Sequence, residues 1–499
     1  MIHLILSAVL LGGAPSAADS RFTLDDVYKI VGVSSPRISP DGTTLVFTRS
    51  HVDLEHDRRD SELVLLDIRS HEQHVLKSDR TVHDAMWSPD GSQIAYLASD
   101  SDHHTQIWLT PPRDAQPLQL THSATGVEQF AWRPDGKAIA YIASDEAPKR
   151  TGIARFQDAF RVTDNAYLDA GPFPPAHLWL VSIPQRDKAQ RLTSGTWSVA
   201  AGAAESTISW SPDGKKLVYV RIPNALLGDA DRSVVEILDV ATHKSTPLTG
   251  RMRYEFNPRY APDGLAVSYT YARDGDPMNQ ANIFLSPGHG PGFDLTKIGL
   301  DANTTNYAWY PDSKALLVEG NAGTHEALWR MLRNGHVQRL QLGEVNPLGD
   351  YDGSIARDGG IAFVGTTPHH PGEIYYRSPS GKLTRLTDYN FALASKPLGK
   401  VTTLNWTAAA DVHEGRRPGA PRALRVGGVQ RAARIRLFNE DGVLTYPVDY
   451  VKGKRYPLVL LIHGGPTSAS TTNWDELAQL MAARGWFVLR PNYRGSDNL

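Results

Sequence analysis

The residues of this chain best suited to chemistry are His463, Gly464 and Gly465, followed by Pro466, at the end of the unbroken apolar run Leu458 to Ile462. Glycines let a backbone approach a bound group closely, and a turn leaving the C-terminal end of a strand is where open α/β sheets place ligands. N–H groups aimed from such a turn stabilise a developing oxyanion, so the three residues read as an oxyanion loop; the plainer alternative is a glycine turn that serves geometry alone. An oxyanion loop needs a nucleophile. No G-x-S-x-G occurs in the 499 residues. Ser468, Ser470 and Ser496 are the hydroxyls near the turn, each in polar loop sequence with no histidine nearby except His463, and none is expected to attack a carbonyl.

Leu458 to Ile462 has the pattern of a strand buried on both faces. Asn473 reads as a helix N-cap with Glu476 completing a capping box, Trp474, Leu477, Ala478 and Met481 share one helical face, and Gly485 closes the helix. Trp486 to Leu489 supplies a second apolar strand. Strand, helix and strand with short connections form a βαβ unit, which crosses over right-handed in a parallel sheet. With two or three strands and one helix, such a unit is expected to expose apolar surface.

YPLVLLIHGGP followed by GWFVLRPNYRGS resembles the start of the catalytic domain of the prolyl oligopeptidase family of serine peptidases, in particular its acylaminoacyl-peptidase and dipeptidyl-peptidase-like branch. The resemblance implies a Ser/Asp/His triad downstream of NYRGS, hence beyond Leu499, and peptide substrates cleaved through an acyl-enzyme. Residues 1–499 would then hold one side of an oxyanion site, contain no catalytic triad residue and be inactive alone. No cofactor and no metal is implied. The glutamate pair with which dipeptidyl-peptidase relatives bind a substrate's free amine has no counterpart, because no adjacent Glu pair occurs.

Upstream, one pattern recurs: Ser39-Pro40-Asp41-Gly42, Trp87-Ser88-Pro89-Asp90-Gly91, Trp132-Arg133-Pro134-Asp135-Gly136, Trp210-Ser211-Pro212-Asp213-Gly214, Tyr260-Ala261-Pro262-Asp263-Gly264, Trp309-Tyr310-Pro311-Asp312-Ser313 and Ala356-Arg357-Asp358-Gly359. Proline presets φ, aspartate caps the turn and glycine supplies positive φ, so each copy is a hairpin. The aspartates are 49, 45, 78, 50, 49 and 46 residues apart. That period marks a β-propeller of seven blades over residues 34–400, the long interval holding an insertion at 146–175. A second mark is a strand ending in Leu-Thr, at Leu120-Thr121, Leu192-Thr193, Leu248-Thr249, Leu295-Thr296 and Leu386-Thr387. The repeated aromatics are expected to pack between blades. In the resembled family a propeller covers the active site and restricts access to it. The expected fold is thus an all-β seven-bladed propeller followed by the first βαβ part of an α/β-hydrolase domain over residues 401–499.

Composition bounds the rest. A hydrophobic content of 41% is enough for sizeable cores, and a net charge of −2 gives no field favouring nucleic acid or anionic membranes. The absence of cysteine removes disulfides and thiol chemistry. Leu4 to Leu11 with small residues up to Ala18 reads as a signal peptide over 1–18 and therefore export to the periplasm or medium; no run is long enough to span a membrane. His51, Asp53, His56, Asp57 and Asp60 are irregularly spaced and read as a charged hairpin loop rather than a metal site. Thr23 to Val31 reads as a short capped helix. Residues 414–438 carry seven arginines in 25 residues and no lysine. This is the bias of a shifted frame in GC-rich coding DNA, with a disordered basic linker as the alternative. The competing functional reading is a non-catalytic secreted propeller that binds peptides or partner proteins. Oligomeric state is not legible.

Overall fold

In the computed structural model, the described residues are 21–496 apart from 80, 114–115, 150, 157–173, 185–187, 201–207, 226–231, 252, 277–278, 280, 299, 301–303, 349–353, 412–434 and 466–467. The expected signal peptide, most of the 146–175 insertion and most of the arginine-rich segment lie outside the described residues.

Each aspartate turn joins the first strand of a sheet to its second. At the first copy, Gly42 N–H donates to the Ser39 carbonyl at 2.9 Å, Gly42 has φ +79°, and Asp41 Oδ1 accepts the Thr43 N–H at 3.1 Å. The same arrangement repeats at Asp90, Asp135, Asp213, Asp263, Asp312 and Asp358, with Ser313 taking the left-handed position once. Strand alternation then builds seven antiparallel sheets of four or five strands, each a meander of consecutive segments. The Leu-Thr mark has a mechanism: Leu120 N–H donates to the Ile107 carbonyl and Thr121 Oγ1 accepts the Ile107 N–H, both at 2.8 Å, extending strand pairing by one side chain. Leu192-Thr193, Leu295-Thr296 and Leu386-Thr387 repeat it. At Leu248-Thr249 the carboxylate of Glu255 takes the threonine's place.

Every sheet packs on the next through an apolar cluster. The clusters run from the first sheet to the second around Val46, Leu63 and Ile94, and so on to the sixth and seventh around Leu317, Leu328 and Phe363. A last cluster joins the seventh to the first, where Ile374 and Leu386 meet Leu45 and Phe47, so the ring is closed and is a propeller. The repeated tryptophans pack between sheets as expected. Indole N–H groups of Trp87, Trp132 and Trp210 donate to the carbonyls of Arg37, Met86 and Ala131 in the preceding sheet, at 3.0, 3.3 and 3.2 Å. Among the described residues, closure involves no shared strands. The first sheet comes from 32–79 and the seventh from 346–385, and hydrogen bonds clasp them: Val31 N–H donates to Asn390 Oδ1 and Asn390 Nδ2 to the Val31 carbonyl, both at 3.0 Å.

The charged hairpin Asp53 to Asp60 is held by its own pairs, His56 Nδ1 to Asp53 at 2.7 Å and Arg58 to both Asp53 and Asp60. Helix α1 (Leu24–Val27) starts at Thr23, whose N–H and hydroxyl both donate to Asp26 Oδ2 at 2.9 Å. A second short helix, α2 (Phe391–Ala394), follows the seventh sheet. An eighth sheet stands apart from the ring. It pairs Val401–Asp411 antiparallel with Ile435–Thr445, then Phe487–Asn492, then Leu458–Leu460 in parallel at the edge. Among the described residues, no helix is long and apolar enough to cross a membrane.

Candidate active site

The unit carrying His463 has the expected order: strand Leu458–Leu460, helix α3 (Glu476–Ala483), strand Phe487–Asn492, with Leu458 opposite Phe487 in a parallel register. Two expectations are corrected. The helix begins later than the capping box suggested, because Asp475 is the N-cap and its Oδ1 accepts the Ala478 N–H at 2.7 Å. Asn473 instead donates from Nδ2 to Glu326 of the sixth sheet at 3.1 Å. The apolar run is not buried on both faces: Leu458, Leu460 and Ile462 are 60%, 52% and 63% exposed, since their strand is the sheet's edge and is paired on one side alone. The exposed apolar surface expected of a small parallel unit is therefore present.

Where the strand ends, the backbone turns through His463, Gly464 and Gly465, and Gly465 has φ +127°. Both glycines are exposed, a Cβ at Gly464 would meet nothing within 4 Å, and among the described residues no acceptor receives either N–H. A free N–H at an open turn polarises a carbonyl placed against it. His463 is fixed from behind. Its ring stacks on Tyr493, with centroids 4.5 Å apart and planes 13° from parallel, and the Tyr493 hydroxyl donates to the His463 carbonyl at 3.0 Å. Ser496 Oγ lies 2.8 Å from His463 Nε2. This pairing was not apparent in the sequence, because 33 residues separate the two and only the parallel register brings them together.

A serine beside a histidine invites comparison with a nucleophile and its base, but the hydrogen bonds assign other roles. The Ser496 hydroxyl donates its one proton to the Tyr493 carbonyl at 2.7 Å, so Oγ accepts from His463. Ser496 is also buried, and among the described residues no carboxylate orients the histidine from its far side. Ser496 and Tyr493 thus position the HGG turn. Ser470 serves the neighbouring loop: its N–H donates to Asn492 Oδ1 at 2.6 Å, and Asn492 Nδ2 returns bonds to the Ser470 carbonyl and to Asp441 Oδ1.

That loop docks the unit on the ring. Thr472 N–H donates to the Thr324 carbonyl at 2.8 Å, Asn346 Nδ2 to Thr472 Oγ1 at 3.0 Å, and Trp474 N–H to Thr366 Oγ1 at 3.2 Å. The docking loop therefore seats on residues at one end of the sixth and seventh sheets, Thr324, Asn346 and Thr366. One cluster with metal-binding residue types was not foreseen, His370, Glu373 and Asp388. Its donor atoms are already engaged: Glu373 accepts from the Thr387 hydroxyl and the Asn390 N–H, and Asp388 pairs with His370 and Arg385. The cluster reads as a hydrogen-bond network stitching the seventh sheet.

No protein-family model matches the chain. Dipeptidyl-peptidase 5 of Porphyromonas gingivalis is 22% identical over 527 residues, spanning 99% of this chain and 72% of that protein. The uncharacterized peptidase YuxL of Bacillus subtilis is 24% identical over 520 residues, spanning 95% and 71%. These likenesses support a serine peptidase of the prolyl oligopeptidase family. The fold of this family extends to a solved acylaminoacyl peptidase in complex with Z-Gly-Gly-Phe-chloromethyl ketone, with a TM-score of 0.71 at 14% identity, over 96% of this chain and 68% of that one.

Proposed function

We propose that residues 1–499 are the propeller and oxyanion-side portion of a serine peptidase that hydrolyses short peptides through an acyl-enzyme. The ring is read as a seven-bladed propeller over 34–400, and 401–499 as the opening βαβ part of an α/β-hydrolase domain. The N–H groups of Gly464 and Gly465, which meet no acceptor among the described residues and lie at the end of a parallel strand, carry this reading. As the substrate carbonyl becomes tetrahedral, its oxygen gains charge, and a preorganised N–H at this turn stabilises it without reorienting water. Stacking on Tyr493 and the bond to Ser496 hold His463, and with it the two glycines that follow, in place. The propeller, docked on the same unit, restricts access to peptides that fit between the two. Residues 1–18 are proposed to direct export.

The nucleophile, base and acid have no counterpart within residues 1–499, so these residues alone are expected to be catalytically silent. Losing a nucleophile costs on the order of a million-fold in kcat, the subtilisin example from which that scale is taken. Incubation with a fluorophosphonate probe and with dipeptidyl and acylaminoacyl coumarin amides tests this: neither labelling nor turnover is expected, and stoichiometric labelling of any serine in 1–499 would overturn it. In a polypeptide that continues the frame through G-x-S-x-G, Asp and His, labelling should appear. There Gly464→Pro, which removes one donor, should lower kcat about a hundred- to a thousand-fold. If no such polypeptide exists, the secreted peptide-binding propeller is the function that remains.

A further inference from the structure

Between the sixth and seventh sheets, at the end carrying the aspartate turns, lies a cavity of about 420 Å³. Three guanidinium groups line it, from Arg330, Arg357 and Arg377. Among the described residues, none of the three side chains makes a hydrogen bond or an ion pair. A solvated surface arginine needs no partner, but Arg377 Nε is shielded from water and has none. Arg58, Arg221, Arg259, Arg333 and Arg490 also have a shielded Nε; Arg259 lies over the Tyr307 ring at 5.5 Å, and each of the other four engages a carboxylate through its guanidinium. Arg377 does not.

The two acids of the lining offset only part of its positive charge. Asp312 Oδ1 accepts the Lys314 N–H at 3.0 Å and Asp358 Oδ1 the Gly360 N–H at 2.9 Å; both stay charged, but among the described residues neither is ion-paired with an arginine, so three guanidiniums face two carboxylates. One crevice back, Arg333 reaches across to Asp263 with two bonds of 2.7 and 3.1 Å. There the equivalent turn aspartate is paired and the crevice is closed by charge. Arg330 packs over the Tyr310 ring at 5.2 Å, which holds its guanidinium at the wall and leaves the donors free. Converging guanidiniums without acceptors repel one another, and a bidentate oxyanion relieves that repulsion.

We propose that this cavity binds a compact, multiply charged oxyanion, a phosphate-bearing or polycarboxylate small molecule, through Arg330, Arg357 and Arg377. The site is separate from the HGG turn. In the sixth sheet, Asp312 precedes the strand Ala315–Ala322 and Thr324, which supports the docking loop, follows it, so cavity and docking loop lie at opposite ends of one strand. The proposal does not rest on the peptidase reading.

Calorimetric titration of the purified 499-residue chain with inorganic pyrophosphate and with citrate tests it. One saturable site that weakens as salt rises is expected, and preference for one probe assigns the natural ligand to the phosphate or the carboxylate class. Arg357→Gln, at an exposed position where folding is not at stake, should weaken binding about tenfold, and Arg377→Gln at least as much. Lys215→Gln, on the fourth sheet, should leave it unchanged. Failure of both probes to bind at millimolar concentration, or affinity unaltered in Arg330→Gln/Arg357→Gln, would overturn the proposal.

Discussion

Asp475 does two jobs with one carboxylate. Oδ1 caps α3 by accepting the Ala478 N–H, and Oδ2 accepts from Arg490 Nη1 at 2.7 Å. Arg490 lies in the parallel strand with its side chain 12% exposed, and burial lowers its pKa while Asp475 opposes that. Removing the acid therefore strands a buried cation and uncaps the helix at once. Asp475→Ala should cost about 2–4 kcal/mol in chemical denaturation, more than a cap alone. Asp475→Ala/Arg490→Met should recover part of it, and equal losses in the single and double variants would mean that the ion pair contributes nothing. The sequence pointed two residues upstream, to Asn473, because spacing to Glu476 satisfies the capping-box pattern. What decided otherwise is tertiary: Asn473 is drawn to Glu326, 147 residues away in the chain. The HGG turn itself was legible in the sequence, since glycine content and the preceding apolar run depend on neighbours alone. Its support by Tyr493 and Ser496 was not, because it depends on register.

Among elements, the aspartate turns and Leu-Thr strand ends could be read from the sequence because each is a local hydrogen-bond device repeated seven or five times. Ring closure has no such repeated signature. It relies on Asn390, buried just after the seventh sheet, whose amide bonds Val31 in both directions and also donates to the Gly372 carbonyl, beside Ser354 Oγ accepting the Ile38 N–H at 3.1 Å and Tyr389 bonding Gln73. With no strand shared between the first and seventh sheets among the described residues, these bonds and the cluster around Phe47 and Ile374 are what hold the ring shut. Asn390→Ala leaves the Val31 N–H and carbonyl unpaired in a poorly hydrated seam, at about 1–3 kcal/mol for each buried group left without a partner. The expected outcome is a lower unfolding midpoint together with faster hydrogen exchange in residues 31–38 and 372–377, while the middle sheets stay protected. Uniform exchange throughout the ring would show that closure is not its weakest seam.

At the scale of the whole molecule, the chain's first described residues join its last. Arg21 donates to the Ala483 carbonyl at the end of α3 at 3.0 Å and pairs with Asp449, and Phe22 meets Trp474 edge-on at 5.5 Å. Phe22, Leu393 and Ala483 form one cluster, so the segment before the first sheet is a strap between propeller and βαβ unit. Asp26 anchors it. Although burial acts to raise its pKa, bonds from Lys396, from the Thr23 N–H and hydroxyl and from Lys29 prevail and bring it down to about 2. A carboxyl whose pKa is depressed on folding adds stability that is complete above its unfolded value, near 4, and drains away as pH falls towards 2. The shift corresponds to about 2 kcal/mol at neutral pH. Wild type should therefore lose about that much between pH 5 and pH 2 beyond what Asp26→Asn loses over the same range, measured by denaturant midpoints at each pH. Asp26→Asn should already be about 2 kcal/mol less stable at pH 7, because the amide leaves Lys396 without its counter-ion. If the two proteins kept a constant gap from pH 7 to pH 2, the strap would be held by the Phe22 cluster alone, and charge at Asp26 would be incidental to how the two parts stay together.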